Sequence, residues 1–269
     1  MTIAIGTSFD GGAIVCADTK VSASDGATTE GSKVFLGITR TRRMYVLANS
    51  AEDAYAAKML GGEISNALSL ADKSFRVEET IKPVMERWYN GYHHIQPPQI
   101  QFLLAFTQES WDSVMLYYCE PPNTVAHGSP IAIGKGSRAV DPALNILSPV
   151  GKKRLDVKSA LVKLAYLMHL AKRDEGTACG GNTYAVVIGV GGAYAFIDET
   201  EMREAEALAK KLSDLMSTGL RKVTSTTPND LFKTFPGALN EISEAYRKLS
   251  FKSLKFLEKS KVWKIGTVG

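Results

Sequence analysis

An N-terminal hairpin constrains the fold of this chain more than any other segment. The alternating run from Thr2 to Thr7 predicts a strand, and Phe9-Asp10-Gly11-Gly12 predicts a tight turn into a second, largely apolar strand that ends at Asp18. Strands joined by such a turn lie side by side. We therefore expect the Asp18 carboxylate to approach the start of the first strand, where Thr2 carries a hydroxyl.

Thr2 directly follows Met1, so removal of that methionine would place a nucleophilic hydroxyl and a free α-amine on one residue. An α-amine titrates at about 7.7 to 8.0, so it can accept the hydroxyl proton near neutral pH. Taken alone, the segment is more simply interpreted as an ordinary edge strand. The assignment of Thr2 as a nucleophile therefore depends on the rest of the chain.

Four later segments add chemistry in a defined order. Gly31-Ser32-Lys33-Val34-Phe35 places a lysine at the start of a third strand, and Met44 to Asp53 runs from a strand into a helix whose N-terminus would offer backbone N–H groups. Ile131 to Ser137 contains a Gly-x-Gly turn. The last segment, Ala171-Lys172-Arg173-Asp174, ends a helix before the pair Gly180-Gly181.

Together with the hairpin, these segments resemble the catalytic β-type subunits of the proteasome and their bacterial, Anbu-like relatives, which are N-terminal nucleophile (Ntn) hydrolases. The resemblance extends over about residues 2–200. It implies an α/β (α+β) Ntn-hydrolase fold, a four-layer αββα sandwich of two antiparallel sheets between helix layers. We expect this domain over residues 1–228 and a helical, basic C-terminal extension over residues 229–269 that packs on the same domain or on a neighbour.

The resemblance also implies a catalytic set. The nucleophile would be Thr2, and Asp18 would hold the cation Lys33 close to it. Ser137 and Asp174 would orient the α-amine, and the backbone N–H of Asn49 would bind the oxyanion. A pocket for the residue before the cut would be lined by Val21, Gly31, Phe35 and Ala51, whose character favours apolar side chains.

The sequence departs from the family pattern at three points. Asn49 stands where a glycine is usual, although asparagine keeps the N–H and tolerates positive φ. Cys179 stands where a serine is expected, and the loop from Asp174 to Gly180 is longer than usual.

The function implied is a cofactor-free threonine peptidase that cleaves unfolded polypeptides or peptides inside a homo-oligomeric ring or spiral, with an ATPase or other cap left open. Two alternatives remain: a non-catalytic shell subunit in which Thr2 stays capped, and an Ntn amidase that acts on a small non-peptide amide, since a fold does not determine a substrate.

The composition bears on the cellular location of the protein and on whether it binds a metal. No apolar run approaches the roughly 18 residues of a membrane span, and the N-terminus lacks the basic-then-apolar layout of a signal peptide. The chain has three cysteines, an odd number without metal-ligand spacing, and its histidines pair with no carboxylate or cysteine at such a spacing. We therefore expect a cytoplasmic protein without a bound metal.

The C-terminal region carries much of the positive charge. Seven basic residues and one acid lie between Arg247 and Lys264, interleaved with Phe251, Phe256 and Trp263. This pattern predicts an amphipathic segment that docks on its own domain or on a neighbouring subunit. No groove-reading motif accompanies it, so nucleic acid is not a predicted partner.

Overall fold

The structure is a computed structural model that describes residues 2–22, 28–71, 76–92, 96–108, 113–147, 155–225 and 228–254. The predicted amphipathic segment lies outside these residues from position 255 onward, as do His93 and His94.

The strands are β1 (Ile3–Phe9), β2 (Gly12–Asp18), β3 (Lys20–Ser22), β4 (Thr28–Glu30), β5 (Val34–Ile38), β6 (Met44–Ala51), β7 (Ile100–Thr107), β8 (Val114–Glu120), β9 (Asn123–His127), β10 (Ile131–Gly134), β11 (Thr183–Gly189) and β12 (Tyr194–Ile197). The α-helices are α1 (Ala54–Leu70), α2 (Val77–Asn90), α3 (Ser137–Val140), α4 (Val157–Asp174), α5 (Glu199–Ser225) and α6 (Pro228–Lys248). Short 3₁₀ helices cover Asp141–Leu147, Val190–Gly192 and Lys252–Leu254.

Two antiparallel sheets form the centre of the fold. The first has the strand order β10-β1-β2-β11-β12, and the second has the order β5-β6-β7-β8-β9. The predicted hairpin is present, with Ala4 opposite Ala17 and Phe9 opposite Gly12. Gly11 adopts a φ of +91° in the turn, a conformation that glycine adopts without steric cost.

Alternation along the strands fills three apolar layers. In β1, Ile3 and Ile5 point toward the helices on the outer face of the first sheet, while Ala4 faces the second sheet. Gly6 lets the sheets approach closely, because a Cβ there would lie 2.9 Å from a methyl of Leu103. The third layer lies between the second sheet and α1 and α2, and includes Leu60. The expected αββα sandwich is therefore confirmed.

Aspartate caps determine where two of the helices begin. Asp53 begins α1 by accepting hydrogen bonds from the N–H groups of Tyr55 at 2.8 Å and Ala56 at 3.1 Å. Asp156 begins α4 in the same way, by accepting from Ser159 N at 2.9 Å. No helix in the described part of the chain is long and apolar enough to cross a membrane.

The chain after α6 returns to the first sheet. Leu249, Phe251 and Leu254 are buried in the same apolar layer as Ile3 and Ile5. The division of the chain at residue 228 stays a prediction, but this part of the C-terminal region packs on the chain's own core.

Candidate active site

Thr2 lies buried at the start of β1, beside the turn between β10 and α3. The N–H of Gly136 points to the Thr2 carbonyl oxygen at 3.5 Å. Gly134 has a φ of +90°, and a Cβ built on it would collide with the same carbonyl oxygen and lie 2.5 Å from Ser50 Oγ. The predicted Gly-x-Gly turn therefore has a structural reason, since Gly134 lets the backbone close on Thr2 and a Cβ on Gly136 would lie 2.6 Å from Cys179 Sγ.

The Lys33 ammonium lies at the centre of the site. Its Nζ donates to Thr2 Oγ1, to Asp18 Oδ1 at 2.9 Å and to the carbonyl oxygen of Lys20. Only 8% of Lys33 is exposed to solvent. Three donor hydrogens thus meet three acceptors, which fixes the cation against the Thr2 hydroxyl.

Asp18 holds this arrangement together from the end of β2. Besides the Lys33 ammonium, its carboxylate accepts the N–H of Ile3 at 3.2 Å and the N–H of Gly180 at 2.9 Å. One buried side chain therefore connects β1, the entry to β5 and the loop after α4.

Burial shifts the pKa of both members of the pair toward neutral pH. It raises the pKa of Asp18, while the Lys33 charge and the N–H donors oppose that rise. Burial likewise lowers the pKa of Lys33, and Asp18 opposes the fall. Each group therefore depends on the other to stay charged.

Asn49 lies in the strand of the predicted strand-to-helix segment. β6 extends to Ala51, and α1 begins at Ala54 after the cap residue Asp53. The N–H of Asn49 donates to the carbonyl oxygen of Lys33 at 3.1 Å as part of the β5–β6 pairing. In this conformation the N–H is not free to bind an oxyanion.

Ser137 and Asp174 are placed differently from Thr2's direct partners. Ser137 begins α3 one residue after Gly136 and lines a neighbouring cavity. The Asp174 carboxylate forms a two-bond ion pair with Arg173 at 2.6 and 2.9 Å, which lowers the pKa of Asp174. It does not line the cavity in front of Thr2. The structure thus directs Asp174 to Arg173 and not to the nucleophile.

A cavity of about 250 Å³ opens in front of Thr2. Of the predicted pocket residues, Phe35 and Ala51 line it. Gly31 does not, and its N–H donates to the Thr19 carbonyl oxygen. The side chain of Val21 lies outside the described residues.

Sequence reasoning missed other residues of this cavity. They are Lys20, Ser32, Glu52, Ala54 and Lys58, beside Thr2, Lys33 and Asn49. The helical spacing of Ala54 and Lys58 in the first turns of α1 was the available signal for two of them.

Lys20 and Cys179 complete the surroundings of the ion pair. The Lys20 ammonium donates to the carbonyl oxygens of Gly176 and Thr177, which fastens the loop after α4. Cys179 is buried, and burial together with the nearby Asp18 charge raises the pKa of its thiol to about 12. Within the described ranges, no group of three side chains from His, Cys, Asp and Glu could hold a metal ion.

Comparison with known proteins supplies a fold. No family model matches the sequence, and no curated protein is detectably similar. Solved structures do match: Anbu from Hyphomicrobium sp. strain MC1 is 16% identical, with a TM-score of 0.62 over 84% of this chain and 98% of that chain. The chain has the fold of the Anbu proteins.

Two further structures agree. Anbu, described as an ancestral beta-subunit, from Yersinia bercovieri is 12% identical over 84% of this chain and 98% of its own, with a TM-score of 0.62. A helical assembly of the Anbu complex from Pseudomonas aeruginosa is 15% identical over 85% and 99%, again with a TM-score of 0.62. The proteasome-like Ntn fold implied by the sequence is thereby confirmed.

Proposed function

We propose that the chain is an Ntn hydrolase that cleaves peptide bonds with Thr2 Oγ1. The observation that carries the proposal is the position of the buried Lys33 ammonium, which donates at once to Thr2 Oγ1 and to Asp18. The activity requires cleavage of the peptide bond before Thr2, which frees the α-amine.

The free amine would act as the base. It takes the proton of the Thr2 hydroxyl as Oγ1 bonds to the substrate carbonyl carbon, and the π electrons of the carbonyl move onto its oxygen. Collapse of this intermediate breaks the C–N bond, and the leaving amine receives the proton from the α-ammonium. A water molecule then attacks the Thr2 ester, again with the amine as base, which releases the acid and restores Thr2.

Lys33 would lower the barrier electrostatically. A cation in contact with Oγ1 favours the charge that develops on that oxygen, and burial reduces the screening by water. The same cation disfavours protonation of the nearby α-amine, which keeps the amine available as a base.

For the oxyanion we assign the N–H of Ala51. Strand residues alternate in the direction of their N–H groups, so the N–H of Ala51 points to the same edge of β6 as that of Asn49. β5 begins at Val34, which lies opposite Ala48, so no residue of β5 pairs with Ala51, and Ala51 lines the Thr2 cavity. Loss of one such donor typically costs about 3 to 4 kcal/mol of transition-state stabilisation.

One observation favours a second candidate, a non-catalytic shell subunit. The Asn49 N–H donates to the backbone carbonyl oxygen of Lys33, so the donor expected from the family resemblance is not available to an oxyanion. In that case Thr2 would remain capped.

We further propose that the chain forms homo-oligomers, and the helical assembly of the Anbu complex from Pseudomonas aeruginosa, which has the same fold, supports this. Both sheets end in an edge strand with exposed apolar side chains. Ile38 of β5 is 56% exposed, and Phe196 of β12 is 44% exposed. Native mass spectrometry should show a discrete ring or a spiral series, and a monomer with full peptidase activity would refute this part of the proposal.

Two measurements test the activity. Mass spectrometry of the intact protein should find a chain that begins at Thr2, and this material should hydrolyse fluorogenic peptides faster than small amides. Thr2→Ala should abolish hydrolysis, whereas Thr2→Ser, which keeps a hydroxyl and an amine, should retain part of it. Undiminished hydrolysis by Thr2→Ala would exclude the mechanism, and uniform capping of Thr2 would favour the shell subunit.

A further inference from the structure

A second cavity adjoins the one in front of Thr2. It has a volume of about 180 Å³ and shares Ala51 and Glu52 with the Thr2 cavity. Its remaining lining residues are Ser50, Gln99, Gln101, Gly134, Lys135, Ser137 and Arg138. The two cavities therefore meet at the turn between β6 and α1, where Ala51 and Glu52 lie between them.

A hydrogen-bonded chain holds the wall of this cavity in place. Gln101 Oε1 accepts the N–H of Gly134 at 2.9 Å, and Gln101 Nε2 donates to Tyr118 Oη at 2.9 Å. Tyr118 Oη in turn donates to Glu120. The turn that closes around Thr2 and the wall of the second cavity are thus parts of one fixed arrangement.

The cavity has an excess of positive charge. Lys135 and Arg138 are exposed on either side of Ser137, and neither has an ion-pair partner among the residues that the structure describes. Glu52 is the one acid among the lining residues given above. An arginine and a lysine that line the same cavity suit a carboxylate, because the guanidinium can donate two parallel hydrogen bonds and the ammonium adds a second positive charge.

We propose that this second cavity binds a carboxylate of the substrate within a few residues of the bond to be cut, through Lys135 and Arg138. The inference rests on the proposed function, whose substrate class it narrows to peptides with an acidic group near the cut. The carboxylate can come from an Asp or Glu side chain or from the peptide's C-terminus, and the experiment below distinguishes these sources.

Hydrolysis of matched peptides tests the proposal. A neutral acetylated, amidated peptide is prepared with a single Glu moved along its length, with Gln in place of Glu as the matched control, and as the free C-terminal acid. Products are identified by mass spectrometry. We expect one Glu position, or the free acid, to raise kcat/KM about three- to fivefold over its neutral partner, the size of an ion pair with exposed side chains.

The variant Lys135→Gln/Arg138→Gln should remove that ratio. The control Lys210→Gln/Lys211→Gln removes the same charge from the exposed face of α5 and should leave the ratio unchanged. Equal losses for Glu and Gln peptides, or the same effect in the control, would overturn the carboxylate site.

Binding separates this proposal from the catalytic one. Fluorescence anisotropy with the labelled Glu and Gln peptides is measured on Thr2→Ala, which needs no turnover. Preference for the Glu peptide that is lost with the Lys135 and Arg138 substitutions would support the site even if no peptide is hydrolysed. Hydrolysis without any such preference would refute the site and leave the proposed activity standing.

Discussion

The Asp18 carboxylate offers a test of the site that does not depend on catalysis. Asp18→Asn keeps the side-chain size but removes the charge that holds the Lys33 ammonium at 2.9 Å. The amide can still present its oxygen to Lys33 and Ile3, yet its NH₂ group then faces the N–H of Gly180, which loses its acceptor. The substitution therefore breaks a buried ion pair and leaves a backbone donor unpaired.

The magnitude follows from burial. The Asp18 side chain is fully buried and that of Lys33 is 9% exposed, so the remaining ammonium cannot be solvated without rearrangement. Removal of one partner from such a pair costs about 3 to 5 kcal/mol. This is a large share of a typical folding free energy of about 5 to 15 kcal/mol.

Urea unfolding monitored by circular dichroism, at one fixed protein concentration, measures the loss. The control is Asp156→Asn, an Asp-to-Asn change at an exposed helix cap, where the two side chains cap about equally well and we expect a change below about 0.5 kcal/mol. In a double-mutant cycle, Lys33→Met should rescue part of the Asp18→Asn loss, because it removes the uncompensated ammonium. A loss below about 1 kcal/mol for Asp18→Asn, or additive effects in the cycle, would refute the reasoning.

Further predictions concern the turn around Thr2 and the buried thiols. Gly134→Ala should lower the free energy of unfolding by about 1 to 3 kcal/mol and reduce turnover, because the new Cβ displaces the Thr2 carbonyl group. Thermal unfolding and peptide hydrolysis measure the two losses. The control Gly62→Ala, where a Cβ meets open space on α1, should show neither loss. Burial raises the pKa of both Cys16 and Cys179 to about 12, so the native protein should resist a thiol-specific reagent at about pH 8 and react once unfolded. Both pKa values lie above the ordinary 9.0, so the contribution of the two thiols to stability is complete below pH 9.0. It should be lost between pH 9.0 and about 12, where only the unfolded chain releases the thiol protons, and urea unfolding at several pH values checks this sign. Rapid modification of the thiols in the native protein would contradict their burial.

The hairpin and its chemistry could be predicted from the sequence because the signals are local. A two-strand alternation around Asp10-Gly11 fixes the register that brings Asp18 to β1. The approach of Lys33 to Thr2 needed the family resemblance, since the polar sequence between β2 and β5 does not by itself predict the short strands β3 and β4 that lie there. The structure brings these side chains together, which supports the predicted roles without testing them.

The remaining residues depend on competition that one sequence does not reveal. Asp174 had a candidate role by position, but the adjacent Arg173 guanidinium takes its carboxylate. The Asn49 N–H was expected to bind the oxyanion, but the carbonyl oxygen of Lys33 accepts it, and this pairing depends on tertiary structure. Glu52 lines both cavities only because of tertiary packing, so no local sequence pattern predicts its position there.

The position of the site between the sheets explains why its residues are so far apart in sequence. Thr2 precedes β1 and Asp18 ends β2 in the first sheet, whereas Lys33 precedes β5 of the second. The Lys33 ammonium can reach Thr2 Oγ1 only when the apolar layer between the sheets is closed, where Leu103 packs against Gly6. It follows that a loss of packing in this layer, at Leu103, should separate the Lys33 ammonium from Thr2 Oγ1 before it disturbs either sheet. An equal loss of packing beneath α1, at Leu60, should destabilise the protein and leave that contact in place.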